Sequence, residues 1–430
     1  MRICIPFPAL MASISLILAM IFFTSSDLQG DDQQFDDPKA AGWSQWHGPR
    51  RDGHFPREWL PVQLPQALKL LWKVPVGSGH SSPIIIDDSA YLFSRIGDDE
   101  VLRAYQLETG ELQWEQLYPA PYQVHSAAAS HGAGPKSTPA AYKNSLITVG
   151  IGGIISCWDL KTHRLRWRQD YTGKLAKTSP LYGTAASPLI VDDAVIVPIG
   201  GHDHGSIGAF YLSTGDMKWN NLTEGPSYAS PIYVDFDGIG QVITQTQTRM
   251  VGLEAEKGKL LWSRDFTTPY DQNSISPVVT GNQVLLAGTG QRTSLLTVSQ
   301  QGGNWIAITK WSSDEIPLYM STPVVSDRLL FGFSERRKGH FFCSDLGTGS
   351  VRWSTMGREG DNASLFVSGD LLWTLSTDGH VRVFKATSEK AAQLANYQVA
   401  QQPTWASPAF APGMMLVKDA DTLYAWSLEK

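Results

Sequence analysis

Two histidines that alternate around an aspartate are the first candidates for chemistry in this chain. His202 and His204 flank Asp203 in the stretch GHDHG, on a loop bounded by glycines. Imidazole and carboxylate groups are ligands for zinc and copper, so the stretch predicts a metal site. A polar loop without a metal has the same composition and is the alternative. The stretch DFDGIG at 235–240 lacks the full pattern of a calcium loop and fits a hairpin turn better.

The cysteines offer little redox or catalytic chemistry. The chain contains Cys4, Cys157 and Cys343, and no two of them are adjacent. Cys157 and Cys343 occupy the same position in two copies of a repeat described below, and we expect both to be buried free thiols. The sequence has no nucleophile elbow, no paired His-Glu metal motif and no phosphate loop before a helix.

Charge and the N-terminus bear on where the protein acts. The formal net charge of −6 argues against a nucleic-acid partner, because phosphates demand a basic face. Arg2 is followed by a nearly continuous apolar run over residues 3–23 and then by small and polar residues. This pattern predicts a signal peptide over residues 1–26, and therefore export to the periplasm or cell envelope. An uncleaved anchor is the alternative, and it is the one membrane contact that we expect.

A recurring signal organises the rest of the chain. Ser or Thr followed by Pro precedes a β-branched run at seven places, and ASLFVS (363–368) stands at the remaining place without a proline. Successive copies lie 42 to 56 residues apart, a period that indicates a propeller or a solenoid. Each copy reads as four short strands, although residues 388–396 could form one helical turn. The sequence predicts an all-β, eight-bladed β-propeller of four-stranded antiparallel blades over residues 68–430, preceded by an extended segment at 27–67.

A second motif, LETGELQW at 107–114, returns along the chain as a tight turn followed by a tryptophan. Its glycine permits a positive φ in the hairpin, and an indole buries roughly 150–250 Å², enough to fill a gap between neighbouring blades. The last repeat ends after three strands, so residues 68–76 are expected to pair with 421–429 and close the ring. A structural docking role is expected for Trp72, Trp114, Trp167, Trp219, Trp262, Trp311 and Trp353.

Over eleven residues the second motif reads A-x-D-x-x-T-G-x-x-x-W. CSDLGTGSVRW (343–353) matches it with Cys in first place, and CWDLKTHRLRW (157–167) matches it apart from that Cys and His163. In this motif the chain resembles the PQQ-like β-propeller repeat family, named for pyrroloquinoline quinone (PQQ). The family includes quinoprotein dehydrogenases and the outer-membrane assembly factor BamB. The segment WSQWHGPRRDGHF (43–55) is similar to that of a bacterial exported branch with the pattern WxQWxGPxRDG.

The resemblance implies functions of two classes. Quinoprotein dehydrogenases carry an adjacent cysteine pair over the cofactor and a Glu, Asn and Asp set on calcium, whereas this chain has no adjacent cysteines. We therefore expect a non-catalytic exported propeller that acts as a binding or scaffold module, with no cofactor and with a protein or peptide partner in the cell envelope. The alternative is a PQQ- or metal-dependent oxidoreductase, with PQQ and calcium as its cofactors. A carbohydrate-active role and the oligomeric state stay open.

A ligand site is expected at the mouth of the central channel. In a propeller the loops into the inner strands open on one face, so the residue two before each repeated Ser or Thr should ring the mouth. These residues are chemically diverse, which favours a binding site; variable surface loops are the alternative. With neighbours on the same loops, the predicted binding residues are His80, Lys136, Tyr182, Tyr228, Asn273, Tyr319, Asn362 and Trp405.

Overall fold

The computed structural model describes Met1 and residues 42–172, 180–201, 204–221 and 224–429. The chain divides into two compact units, Met1–Asp36 and Asp37–Lys430, and every element below belongs to the second. Apart from Met1, the predicted signal peptide at 1–26 lies outside the described residues. None of the helices in the described ranges has the length and apolarity that crossing a membrane requires.

The described residues form antiparallel sheets of four strands, and the eight sheets are the blades of a propeller. This confirms the predicted fold class. The strands of the first half of the chain are β1 Lys69–Pro75, which joins blade 8; β2 Ile84–Ile86, β3 Ser89–Ile96, β4 Asp99–Gln106 and β5 Leu112–Pro119 in blade 1; β6 Ala140–Tyr142, β7 Ser145–Val149, β8 Ile154–Asp159 and β9 Leu165–Asp170 in blade 2; β10 Leu189–Val191, β11 Ala194–Ile199, β12 Ser206–Tyr211 and β13 Met217–Asn221 in blade 3; and β14 Ile232–Phe236, β15 Ile239–Gln245, β16 Arg249–Glu254 and β17 Leu260–Asp265 in blade 4.

The second half of the chain continues the same plan. Its strands are β18 Val278–Thr280, β19 Gln283–Leu286, β20 Thr293–Gln301 and β21 Asn304–Ser313 in blade 5; β22 Val324–Ser326, β23 Leu329–Ser334, β24 His340–Asp345 and β25 Val351–Ser354 in blade 6; β26 Ala363–Ser368, β27 Leu371–Ser376, β28 His380–Lys385 and β29 Gln393–Gln398 in blade 7; and β30 Ala409–Ala411, β31 Met414–Lys418 and β32 Thr422–Ser427 in blade 8. Short 3₁₀ helices lie in the connections at Arg57–Trp59, Ser126–His131, Pro269–Asp271 and Arg336–Lys338.

The two ends of the propeller share blade 8. β1 pairs antiparallel with β32, from Lys69 opposite Ser427 to Pro75 opposite Thr422. The predicted closure is therefore confirmed, and it leaves no inner or outer strand of blade 8 missing. The helical turn expected at 388–396 is wrong, because this stretch leads into β29, the fourth strand that blade 7 needs.

Where the next blade has the tight turn, the indole of the docking tryptophan lies against that turn. Trp167, on the outer strand of blade 2, donates from Nε1 to the Leu212 carbonyl of blade 3 at 2.9 Å. A Cβ on Gly215, which has φ +77°, would lie only 2.5 Å from Cδ2 of the same indole. The glycine of the motif is thus needed twice, because it adopts a left-handed backbone and leaves room for the ring.

Blades that depart from the motif show what replaces the contact. His163 stands where the glycine is expected, and its ring stacks on Trp114 with centroids 4.6 Å apart. Trp262 faces blade 5, which has no such turn, and its Nε1 donates instead to the Gln241 side chain of its own blade at 2.8 Å. The indole therefore keeps its position between blades even where its partner changes.

A second set of contacts joins the blades at the channel. The Thr138 backbone N–H donates to the Ser187 hydroxyl at 2.9 Å, and the Ser187 N–H donates to the Ser230 hydroxyl at 2.9 Å. The same bond runs from Ser82 to Thr138, from Ser230 to Ser276, from Ser276 to Thr322 and from Ser407 to Ser82. We call these residues the hydroxyl ring. The proline that follows each of them fixes an extended φ and brings no N–H that would need a partner in the channel.

Residues 42–55 lie inside the channel and form a segment that we call the plug. Its backbone carbonyls accept from the inner strands: Ile85 N–H donates to Trp43 O, and Ala141 N–H donates to Ser44 O, both at 2.9 Å. In blade 7, Val367 N–H of β26 donates to Gly53 O at 2.8 Å. Residues 42–54 of the segment predicted to be extended form bends and turns, and Trp43, His47 and Arg51 are buried.

The plug is fixed by aromatic packing and buried polar contacts. Trp43 is 1% exposed and packs edge-on against Phe366 and Phe410 at 5.4 and 5.3 Å. The chain then passes beneath blades 7 and 8, where the Tyr397 hydroxyl donates to Pro65 O at 2.6 Å, before it enters β1. One segment thus closes both the channel and the ring.

A pair of glycine substitutions tests the docking contact. Gly215→Ala and Gly238→Ala both place a Cβ on a residue with positive φ, +77° and +79°, but a Cβ on Gly238 meets nothing within 4 Å. We expect Gly238→Ala to cost about 1–2 kcal/mol from backbone strain alone. Gly215→Ala should cost about 1–3 kcal/mol more, because the Trp167 indole must move. Unfolding in urea measures the difference, and equal losses would show that the indole does not depend on this glycine.

Candidate functional site at the channel mouth

A cavity of about 210 Å³ opens at the mouth of the channel, above the plug. The hydroxyl ring forms its base, and the Trp46 ring of the plug lies among the same lining residues. The walls come from the loops that lead into the inner strands. The plug fills the channel below, so a ligand in this cavity enters from the mouth.

Most of the predicted binding residues meet here. His80, Lys136, Tyr182, Tyr228 and Trp405 all line the cavity. The structure places the other three elsewhere. Tyr319 lines a neighbouring groove that also contains Tyr182.

Asn273 and Asn362 hold loops instead of lining the cavity. The Asn273 side chain is fully buried and donates to the carbonyls of Thr246 at 2.7 Å and Phe266 at 3.0 Å. Asn362 accepts a hydrogen bond from the Ser321 hydroxyl of the preceding blade. Their amides therefore satisfy neighbouring polar groups that the sequence pattern could not reveal.

The metal site predicted at the GHDHG loop stays a prediction. His202 and Asp203 lie outside the described residues, and His204 is exposed on the loop between β11 and β12. Within the described ranges, no group of three His, Cys, Asp or Glu side chains is placed to hold a metal. Cys157 and Cys343 are buried free thiols, and burial raises the pKa of the first to about 11 and of the second to about 12.

Lys136 carries an unpaired charge into this cavity. Its Nζ is buried and, among the described residues, has no hydrogen-bond partner; the Nε2 of His80 is in the same situation. Burial lowers the pKa of Lys136 from its ordinary 10.5 to about 8, so the amine is still mostly protonated at neutral pH. Burial and then the charges of Lys136 and Lys418 lower the pKa of His80 to about 3, which keeps that imidazole neutral.

Two further cations lie close to the cavity, and both are paired with neutral oxygens. Arg51 of the plug is 5% exposed, donates to the carbonyls of Ser187 and Pro188 at 3.1 and 2.6 Å, and lies 5.6 Å from the Trp46 ring centroid. Lys418 donates to three backbone carbonyls, the nearest that of Gly79 at 2.7 Å. Asp419 and Asp421 also act on Lys418, whereas burial is the cause of the lowered pKa of Lys136.

The aromatic wall is held by its own contacts. The His131 ring packs edge-on against Trp405 at 5.1 Å and against Tyr182 at 5.6 Å. The Tyr182 ring meets Tyr228 at 5.7 Å, and its hydroxyl accepts from Gln272 Nε2 at 3.1 Å. These contacts position the rings without a ligand, so the cavity is preformed.

The chemistry of this cavity suits binding more than redox catalysis. The eighteen lining residues include no Asp, Glu, Asn or Cys. Calcium takes oxygen ligands, among which carboxylates supply the negative charge, so this set does not fit the calcium ion that quinoprotein dehydrogenases use beside PQQ. A cation, hydroxyls and aromatic faces remain, and these groups bind an anionic ligand with apolar parts.

The fold and the plugged channel define an eight-bladed propeller with a cavity at one mouth. The sequence profile of the family described as "Outer membrane protein assembly factor BamB" matches residues 98–355, which is more than half of the chain. The chain belongs to this family of PQQ-like propellers.

Individual relatives are more distant. The outer membrane protein assembly factor BamB of Kangiella koreensis is 31% identical over 130 residues, which are 30% of this chain and 29% of that relative. The solved BamB of Moraxella catarrhalis superposes with a TM-score of 0.60 at 15% identity, over 84% of this chain and 100% of that one. A europium-containing methanol dehydrogenase superposes with a TM-score of 0.65 at 12% identity, over 91% and 98%. At these identities the two solved structures show a shared fold.

Sequence reasoning missed the plug as the floor of the cavity. Trp46 lies in WSQWHGPRRDGHF, a stretch whose five aromatic and imidazole-bearing positions are unusual for a solvated tail. That composition indicates a buried segment, because apolar rings need a surface to cover them. Gln272, which orients Tyr182, had no such signal.

A matched pair of lysine substitutions tests the unpaired charge. Lys136→Met removes a buried charge without breaking a hydrogen bond, so we expect it to raise the free energy of unfolding by about 2–3 kcal/mol at pH 7. Because the pKa of Lys136 is lower in the folded protein than in the unfolded chain, the unfolded state binds more protons between about pH 8 and 10.5. The parent should therefore gain stability over this range, and the advantage of Lys136→Met should shrink to near zero.

Lys418→Met is the control, because the pKa of Lys418 is also lowered to about 8. This substitution leaves three carbonyl oxygens without their donor, so the variant should unfold more easily than Lys136→Met. Urea unfolding across the pH range compares the three proteins. If Lys136→Met were as destabilised as Lys418→Met, Lys136 would have a structural partner in the folded protein.

Proposed function

We propose that the protein is a non-catalytic binding propeller of the cell envelope, in which the channel mouth captures a segment of a partner protein. The observation that carries this proposal is the preformed cavity, which joins an aromatic wall to the unpaired ammonium of Lys136 and contains no carboxylate. Its residues are placed to hold a ligand.

Family membership supports an envelope role. The relatives that share the family description are named as outer-membrane assembly factors. The N-terminal pattern of Arg2 and an apolar run supports export. An exported propeller of this family that presents a cavity is expected to bind an envelope protein, in assembly or in retention.

The aromatic wall supports a polypeptide ligand. Trp and Tyr side chains dominate the binding energy of protein interfaces, and Tyr182, Tyr228 and Trp405 stand together at the opening. A groove of about 390 Å³ adjoins the cavity and shares Tyr182 and Gln272 with it. The two spaces together provide a site longer than a single small molecule needs.

Site-specific photo-crosslinking tests the proposal. A photoreactive phenylalanine analogue is introduced at Trp405, at Tyr228 or, as the control, at Tyr211, which is 39% exposed on β12 and lines neither cavity nor groove. Irradiation of intact cells of the native host, followed by mass spectrometry, should identify the same partner protein from positions 405 and 228 and not from 211. The proposal fails if neither mouth position yields an adduct of its own.

A further inference from the structure

We infer that the channel mouth binds the C-terminal carboxylate of a polypeptide chain, with the ammonium of Lys136 bonded to the carboxylate oxygens and the preceding residues lying in the adjoining groove. The inference rests on the proposed function, since it names the segment that the partner presents.

The charge of Lys136 has no partner among the described residues. A buried cation without a partner is costly, and folded proteins avoid it unless another group compensates. Lys418, at the same mouth, has three carbonyl acceptors, whereas Lys136 has none among the described residues. Because no lining residue carries a negative charge, a bound anion is the group that would compensate Lys136.

The residues around Lys136 match a carboxylate better than a phosphate. Phosphate is usually held by bidentate arginine, by several backbone N–H groups or by a helix N-terminus. The lining residues include no arginine, and the loops into the inner strands do not open a helix at the cavity. A single ammonium with hydroxyl and imidazole neighbours instead matches the charge and size of one carboxylate.

The closed channel requires this carboxylate to be at the end of a polypeptide chain. The plug closes the channel beneath the cavity, where Trp46 lies in the lining and Arg51 lies against it, so a polypeptide cannot thread through. A cavity of about 210 Å³ holds little more than one residue. A chain that enters from the mouth must therefore end there.

The residues before that end would lie in the groove beside the cavity. The groove beside the cavity is lined by Leu181, Pro269, Tyr270 and Tyr319, together with Tyr182, which it shares with the cavity. Tyr270 is 77% exposed and has φ +61°, so a strained backbone presents an aromatic ring to solvent. Such strain persists where function maintains it, and an aromatic groove suits the apolar side chains of a peptide.

Peptide binding tests the inference on the whole exported chain. The probes are a fluorescent hexapeptide library with free C-terminal carboxylates, the same library with C-terminal amides, benzoate as a small carboxylate, and PQQ with calcium. We expect the free acids to bind about tenfold to hundredfold more tightly than the amides, which is the effect of losing one charge-assisted bond.

Three variants separate the contacts. Lys136→Met should abolish the preference for acids over amides while leaving residual binding, and Lys136→Arg should restore part of the preference. Tyr270→Ala should weaken acids and amides by the same factor, because it removes a groove contact and not the anion contact. Fluorescence anisotropy measures each affinity, and circular dichroism shows that the variants fold.

The outcomes distinguish this inference from the proposed function. Equal binding of acids and amides, or benzoate binding as tight as that of the peptides, overturns the chain-end carboxylate but leaves the crosslinked partner in place. Binding of PQQ with calcium in preference to every peptide, together with no crosslinked partner, overturns the proposed function itself. A preference for acids that survives in Lys136→Met overturns the role of Lys136.

Discussion

The hydrogen bond from the backbone N–H of one blade to the Ser or Thr hydroxyl of the next blade is the interaction on which this architecture depends. It fixes where each inner strand begins, for example between Thr138 and Ser187 at 2.9 Å. The bond occurs at six junctions between described blades, and a Ser364–Ser407 hydroxyl contact joins blade 7 to blade 8. The same hydroxyls then form the base of the cavity, so the element that joins the blades also builds the site.

The N-terminal segment completes what the hydroxyl ring begins. β1 supplies the strand that blade 8 lacks, and the plug fills the channel under the cavity. The plug brings Arg51 into the interior, where its charge is met by carbonyl oxygens and not by a carboxylate. Lys418 and Lys136 are two further cations of the mouth, and Asp419 and Asp421 act on the first of them. Arg51 has an unpartnered Nε but bonds through both terminal nitrogens, whereas Lys136 has no hydrogen-bond partner at all among the described residues, and the proposed ligand follows from that difference.

Repetition decided how much the sequence could predict. The Ser/Thr-Pro signal recurs with each inner strand, so the eight blades, the closure by β1 and the position of Lys136 and Trp405 at the mouth all followed from spacing. Asn273 stands on the same kind of loop, but its amide bonds to Thr246 O and Phe266 O, contacts that depend on the local path of blade 4. The plug occurs once, so no period reveals it, and its tryptophans become informative only when the channel that they fill is known. The second role of the motif glycine, as the surface under Trp167, likewise depends on a contact between blades.

The proposed binding of a carboxylate by Lys136 in a preformed cavity is tested most directly by a crystal structure of the protein with a bound peptide. The protein would be crystallised alone and with a hexapeptide acid that binds to it, at a resolution that shows ordered water. We expect Tyr182, Tyr228 and Trp405 to have the same positions in both crystals. In the complex, a terminal carboxylate oxygen should lie about 2.7–2.9 Å from Lys136 Nζ. A Lys136 side chain bonded to a protein group in the free form, or a peptide whose carboxylate points into solvent, would contradict it.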